Sequence, residues 1–347
     1  MPLSGSPLRK LGFLTIGLFD PNNPAPGHAN TLEIIELGEQ LGFDSAWLRH
    51  RHLQFGISSP IAVMAAASQR TTRIELGTAV TPLGWENPLR LAEDLATVDL
   101  LSGGRINSGI SVGTPMNFDT VKDELYPDTA DLEDFSFERA ERLARYIAGE
   151  KIREFSGKQG VVEEFSARVE PHSPGLRERL WYGAGSLSSA RRAGEHGFNL
   201  LTSSVLFADP EDSNPHFGLA QQAQILAFKE AAALNGHRQP RVSQGLVVIP
   251  TDSASAEQVR RYKDYVQLRT GRTTAPQGPH GMLFARDLIG TSEQIAEQLY
   301  SHAGFQEVDE VAFALPFSFE HQDYLQILHD IAQKLGPALG WKPASAS

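Results

Sequence analysis

The chain has 347 residues, 41% hydrophobic and 21% charged, a globular composition long enough to bury a core without disulfide or metal staples. Its 31 Lys and Arg against 42 Asp and Glu give a formal net charge of -11, which argues against nucleic acid or an anionic membrane surface as partner. There is no Cys, so thiolate nucleophiles, cysteine-bound zinc, iron–sulfur clusters and disulfides are excluded together.

From the N-terminus, Met1 to Lys10 has no apolar signal core, and no apolar run approaches a bilayer span, so a cytoplasmic location is expected. A short apolar run followed by an amphipathic helix then recurs. Leu11–Phe19 reads as a strand and Thr31–Leu41 as its helix; Asp44–Leu48 and Pro60–Gln69 form the second pair. Ile74–Thr81 is the third strand, and Pro88–Leu101, with proline in its first turn, the third helix. Gly103 and Gly104 stop that helix. Arg105–Val112 makes the fourth strand and Phe135–Ala148 its helix. The second half pairs Arg179–Tyr182 with Ser186–His196, and Phe198–Ser203 with Phe217–Leu234. Val242–Ile249 with a helix from Ala254, and Val308–Leu315 with His321–Leu335, complete the series.

Strands alternating with helices predict a parallel sheet, and eight such units close into a (β/α)8 TIM-type barrel with loop insertions. An open doubly wound sheet is the rival. Its Gly-rich turn after the first strand is replaced here by the proline-bearing loop Asp20 to Gly27, which favours the barrel. One α/β domain over 1–347 is expected, with insertions at about 114–134, 150–177 and 262–288. The first reads as a loop, the second as a weak hairpin, and the third as a lid. The tail 343–347 is expected to fray.

Four segments carry candidate chemistry. Gly109-Ile110-Ser111-Val112-Gly113 fits the G-x-S-x-G pattern of a serine nucleophile, but no helix follows it immediately. His50-Arg51-His52 ends the second strand, where alternation puts both histidines on one face toward the mouth of a barrel. They read as a general acid or as hydrogen-bond donors to a cofactor. No metal is expected, because the sequence shows no third ligand. Gly183-Ala184-Gly185-Ser186 is a Gly-rich strand-to-helix turn, where backbone N–H groups and a hydroxyl converge on an anion such as phosphate. Gly77-Thr78-Ala79-Val80-Thr81 ends the third strand with small residues that let a flat ring lie close to the backbone.

A set of segments in order resembles the luciferase-like flavin-dependent monooxygenase family, the superfamily of bacterial luciferase and alkanesulfonate monooxygenase. They are Leu41-Gly42-Phe43-Asp44-Ser45-Ala46-Trp47, Thr72 to Val80, Asn87 to Asp94, Leu101 to Arg105, Gly183 to Ser186, Ser189 to Gly197 and Ile289 to Ala296. The resemblance implies a flavin-dependent oxidoreductase on a TIM-type barrel, most simply a two-component monooxygenase using reduced FMN and O2 on a small organic substrate. A separate NAD(P)H:flavin reductase would supply the reduced FMN, and a homodimer is expected. The alternatives it leaves are an F420-dependent dehydrogenase or reductase on the same barrel and a non-catalytic flavin-binding protein.

Carried over by residue, the resemblance places Thr78 and Val80 against the flavin ring, with a cis peptide near Ala79. Gly109 and Ser111 would face the ribityl side, which removes the nucleophile reading of Ser111. Ser136 aligns near the phosphate, and Gly185, Ser186 and Leu187 match the turn that binds it. Many relatives carry Glu-His-His where this chain has His50-Arg51-His52. Arg51 at that point fits an anionic substrate group or developing flavin anion, with His50 and His52 left for proton transfer.

Overall fold

Eight parallel strands hydrogen-bond in sequence order and close on themselves, so every predicted barrel strand forms. They are β1 (Lys10–Thr15), β2 (Ser45–Leu48), β3 (Glu75–Pro82), β4 (Ile106–Ser111), β5 (Leu180–Gly183), β6 (Asn199–Thr202), β7 (Val242–Gln244) and β8 (Glu310–Ala314). The register from Lys10↔Glu310 to Leu14↔Ala314 closes the ring. The computed structural model describes residues 7–209, 215–237 and 240–344. Among them, no helix is long and apolar enough to cross a membrane.

The barrel interior is layered, and the layers differ in chemistry. At the N-terminal end Arg241 bonds Glu75 at 3.0 Å and Glu310 at 2.9 Å, and Asn107 bonds Glu75 at 3.1 Å. Above it lies an apolar layer of Trp47, Trp181, Leu201 and Ala312, with the two indoles edge to face at 5.4 Å. At the C-terminal mouth the inward positions are small. Ala79, Val80, Ser111, Gly183, Gly245 and Ala314 are all half-buried, leaving an open floor. The larger core lies outside the strands, where the helices pack on residues such as Phe13, Ile35, Leu143 and Phe228.

Several boundaries differ from the sequence expectations, each for a local reason. The first strand ends at Thr15 because Gly17 turns the chain at φ +61°. Its helix starts at Pro24 rather than Thr31, since the Pro-rich stretch read as loop is the helix's first turn. The run Val242–Ile249 is two strands, with β7 ending at Gln244. Val248–Pro250 then pairs in parallel with Leu288–Gly290 outside the barrel. Within 114–134 there is a helix, Phe118–Leu125, exposed enough to lack a buried apolar stripe. The hairpin in 150–177 forms from Gly157–Gln159 and Glu163–Phe165. In 262–288 the helix Ala256–Thr270, opened by a Ser255–Gln258 capping box, runs on to Thr270 before the lid segment begins. Met282–Phe284 in that segment pairs antiparallel with Val205–Phe207. In the tail, Trp341 is buried and bonds Asp44 at 2.8 Å, and Ala344 bonds Gly42. The rest of the expected frayed tail, 345–347, lies outside the described residues.

Candidate active site

The mouth floor comes from backbone as much as from side chains. A Cβ on Gly183 would stand 2.7 Å from Val80 Cγ1, so only glycine leaves the floor flat beside Val80. The Ala79–Val80 peptide is cis, as the resemblance implies. Thr78 points away from the mouth: it is fully buried, and its hydroxyl both donates to Gly109 O at 2.8 Å and accepts from Gly109 N. Gly109 is itself buried, with Leu201 packed where its Cβ would be. Thr78 and Gly109 thus support the floor from beneath, while Val80 and half-buried Ser111 form its surface.

Gly183 leads directly into the turn Ala184-Gly185-Ser186, which opens the helix Leu187–Glu195. Ser186 and Ser189 cap the helix reciprocally, and the Ser186 hydroxyl also lies 3.1 Å from that of Ser188. The Ser186 N–H is spent on Ser189, but those of Leu187 and Ser188 have no partner among the described residues. Two free backbone donors and a cluster of hydroxyls at a helix N-terminus make an anion cradle. A Cβ on Gly185 would stand 2.8 Å from the ring of exposed Phe207, so a larger residue there would have to displace that ring. Ser136 is exposed and engaged with Asp134, at the entry to the helix Glu138–Ile147. No contact joins it to this turn among the described residues.

Past the end of β2 the two histidines meet, their rings 4.6 Å apart. His52 stacks on Trp85 at 4.2 Å, which fixes its plane. His50 is 3% exposed, and neither ring nitrogen makes a well-formed hydrogen bond. A weaker contact with the Ser58 backbone and the Glu86 carboxylate, 3.9 Å from Nε2, are what it faces. Burial, then the neighbouring His52 and Arg51, hold the His50 pKa down at about 3, against the small opposing pull of Ser58. Burial also lowers His52, while burial and then Asp94 push the Glu86 carboxyl up. A neutral imidazole pair thus faces a carboxyl biased toward its protonated form, an arrangement suited to holding and passing a proton.

Of the expected His50, Arg51 and His52, the structure brings the two histidines together, and it adds Glu86, whose loop after β3 carries no periodic signal. Glu86 also supplies the third ligand type that the sequence did not show. One ligand atom each from His50, His52 and Glu86 lies within 4.8 Å of the others. A divalent ion there would have one carboxylate for balance and the Arg51 charge acting on His50, which weighs toward proton handling. Arg49 was missed as well, although inward Ser45 and Trp47 continue by alternation to it.

Fold and site together define a (β/α)8 barrel with His50, His52 and Glu86 clustered past the C-terminal end of its strands, the end where such barrels carry their chemistry. The chain belongs to the luciferase-like monooxygenase family, whose model matches residues 10–307. It is 32% identical over 175 residues to limonene 1,2-monooxygenase of Rhodococcus erythropolis, covering 46% of this chain and 44% of that protein. It is 30% identical over 190 residues to an F420-dependent glucose-6-phosphate dehydrogenase of Kribbella flavida, covering 51% and 54%. The oxygenating constituent of 3,6-diketocamphane monooxygenase from Pseudomonas putida, solved with FMN, superposes with TM-score 0.66 at 15% identity, over 95% of this chain and 98% of that one. The chain thus spans about half the length, or less, of the curated relatives it matches at 30% identity or more.

Proposed function

We propose that the protein is the oxygenating component of a two-component flavin-dependent monooxygenase. It would take reduced FMN from a separate NAD(P)H:flavin reductase and use O2 on a small organic substrate. The proposal includes a homodimer in the cytoplasm. The observation that carries it is the continuity of floor and cradle. Gly183 on the flat mouth and the anion turn at Gly185, Ser186 and Leu187 follow one another after β5, as a flat ring with a phosphate at the end of a short chain requires. The relatives named above include both a monooxygenase and an F420-dependent enzyme.

When bound, reduced FMN would supply the electrons for oxygen activation. The chain's own residues divide the remaining work. Leu187 and Ser188 N–H groups, with the serine hydroxyls, would hold the phosphate. Val80, Ala79 and Gly183 would seat the ring, and Ser111 would reach the ribityl side. His50 and His52 would receive or return a proton at their ring nitrogens, with Glu86 as the neighbouring reservoir and Trp85 keeping His52 in place. The segment Thr270 to Met282 would close over substrate and exclude water.

Anaerobic titration of the apo-protein with reduced FMN, and separately with reduced F420, tests this reading. Saturable FMN binding, with an oxygen atom from O2 appearing in a member of an organic substrate panel when oxygen is admitted, supports it, and selective F420 binding turns it to hydride transfer. FMN binding with all of the oxygen returned as hydrogen peroxide would leave a flavin carrier. Ser186→Glu should weaken FMN binding by about tenfold or more, through repulsion at the cradle and loss of a charge-assisted hydrogen bond. An unchanged affinity would remove the phosphate assignment.

A further inference from the structure

His52 and Glu86 owe their places to the turn Leu83–Trp85 after β3, which sets Trp85 against the His52 ring with Glu86 next in the chain. The two carbonyls that flank Trp85 are both taken by one pair of side chains. Tyr126 donates its hydroxyl to Gly84 O at 2.7 Å, and Arg139 donates from Nη2 to Glu86 O at 3.1 Å. The same Nη2 donates to the Tyr126 oxygen at 2.8 Å, which joins the two bonds into one clamp. Arg139 is 4% exposed, and its Nη1 is held by Glu133 Oε2 at 3.1 Å and by Asp134 O at 3.0 Å. Its guanidinium also lies against the rings of Tyr126 and Phe135, 5.8 and 5.6 Å from their centroids.

Tyr126 belongs to the insertion after β4. The helix before it, Phe118–Leu125, buries no residue of its own, yet Tyr126 just past its end reaches back to the preceding unit of the barrel. The start of the same insertion lies directly on the turn, since a Cβ on Gly84 would stand 2.8 Å from Gly113 O and 2.9 Å from Pro115. Phenylalanine at 126 would keep the ring contacts, so the bond to Gly84 is what the hydroxyl adds. Burial pushes the Tyr126 phenol pKa up, against the pull of Arg139 and with Glu133 and Glu86 adding to the rise, so the hydroxyl stays a donor at neutral pH. A half-buried hydroxyl and a buried cation, each bonded to a carbonyl beside Trp85, leave the indole little freedom to swing off His52.

We propose that Tyr126 and Arg139 are positioning residues for proton transfer, holding Trp85 against His52 and the Glu86 carboxyl beside the imidazole pair. They act through the turn and touch neither imidazole. This rests on the proton-handling reading of the cluster, and not on which flavin or substrate the mouth takes. The groups facing His52 are His50 from its own segment and Trp85 and Glu86 from the clamped turn. A loosened turn would tilt Trp85 away and admit water to His52. Because burial is what lowers the His52 pKa, its proton affinity would then drift back up toward that of a free imidazole.

Trp85 emission followed against pH in the apo-protein tests the proposal, because a protonated imidazole stacked on an indole quenches it. The other tryptophans pack on Phe43 or on each other. Trp85→Phe gives the background to subtract, and His52→Gln should abolish the titrating part. In the wild type the quench should have its midpoint below the ordinary 6.5. Tyr126→Phe and Arg139→Lys both conserve net charge, so a shift in either reports geometry. Each should raise the midpoint by about half a unit or more, roughly threefold in proton affinity, and make the quench shallower. FMN affinity, titrated in parallel, should be unchanged. Circular dichroism confirms that the variants fold; if Arg139→Lys does not, Tyr126→Phe, which removes a single hydroxyl, decides alone. An unshifted quench in folded Tyr126→Phe overturns the proposal, as does a wild type without a His52-dependent quench. A fall in FMN affinity at an unshifted midpoint would assign the pair to the cofactor and overturn it too. A shifted midpoint in a protein that binds no FMN would keep this inference while defeating the flavin reading.

Discussion

His50 is held neutral by its surroundings, and that has a measurable thermodynamic cost. Unfolded, its imidazole titrates at the ordinary 6.5; folded, burial and the neighbouring His52 and Arg51 hold it to about 3. Between those values the unfolded chain binds a proton that the native chain refuses, so stability falls as pH drops from 6.5 toward 3. Above that window the imidazole is neutral in both states and contributes no slope. His50→Gln removes the group and should flatten the urea-midpoint profile between about pH 6.5 and 4.5, by an amount on the order of 2 kcal/mol at the acid end. Glu86 and His52 would still titrate, so some slope should remain. An identical profile in variant and wild type would mean that His50 is protonated equally easily in both states, and the neutral-pair reading of the site would fall.

At the scale of elements, the turn after β5 joins floor and cradle, so a change at Gly183 should separate folding from binding. Gly183→Val puts a branched side chain where Cβ alone would be 2.7 Å from Val80 Cγ1. Val80 is half-buried at the open mouth, so it has room to shift, and the strand's outer packing through Leu180 and Tyr182 is untouched. The expected result is a folded barrel, weakened by about 1–3 kcal/mol through overpacking, whose FMN affinity falls by more than tenfold as the ring seat fills. Unaltered FMN affinity in a folded variant would show that the ring sits elsewhere. The sequence made the strands legible because each is a short apolar run bounded by turn residues, and the helices legible where a buried stripe recurs. Phe118–Leu125 spaces its apolar residues helically at Phe118, Val121 and Leu125, but two turns inside an otherwise irregular insertion are too short for that period to stand out. Pro24–Gln40 was shortened because proline-rich residues that look like a loop are also what a first helical turn accepts. At the site, the Gly-rich turn was readable because its chemistry lies in consecutive residues. Glu86 joins His50 only through the fold of the loop after β3, and no spacing rule encodes that meeting.

For the whole molecule, the two ends of the barrel are chemically opposite, and the apolar layer between them should keep their roles apart. The N-terminal end is closed by Arg241 lying over the Trp181 ring at 4.7 Å and bridging Glu75 and Glu310, with Lys10 also on Glu75. Glu310 is only 4% exposed, so its charge depends on that guanidinium. Removing one member of a buried ion group leaves the others charged and unpaired, which costs about 3–5 kcal/mol, whereas replacing the whole group with neutral residues is often near neutral. Arg241→Met should therefore lower stability by about that amount, and adding Glu75→Gln and Glu310→Gln should recover much of the loss. Because Trp47, Trp181, Leu201 and Ala312 intervene, FMN affinity at the mouth should be unchanged in every variant that remains folded. Urea unfolding and flavin titration on the same samples check both halves. A stability loss without recovery in the triple variant would show that Arg241 acts mainly by packing on Trp181. A fall in FMN affinity that tracks the stability loss would show that the barrel transmits strain from end to end, so that its floor belongs to the function of its mouth.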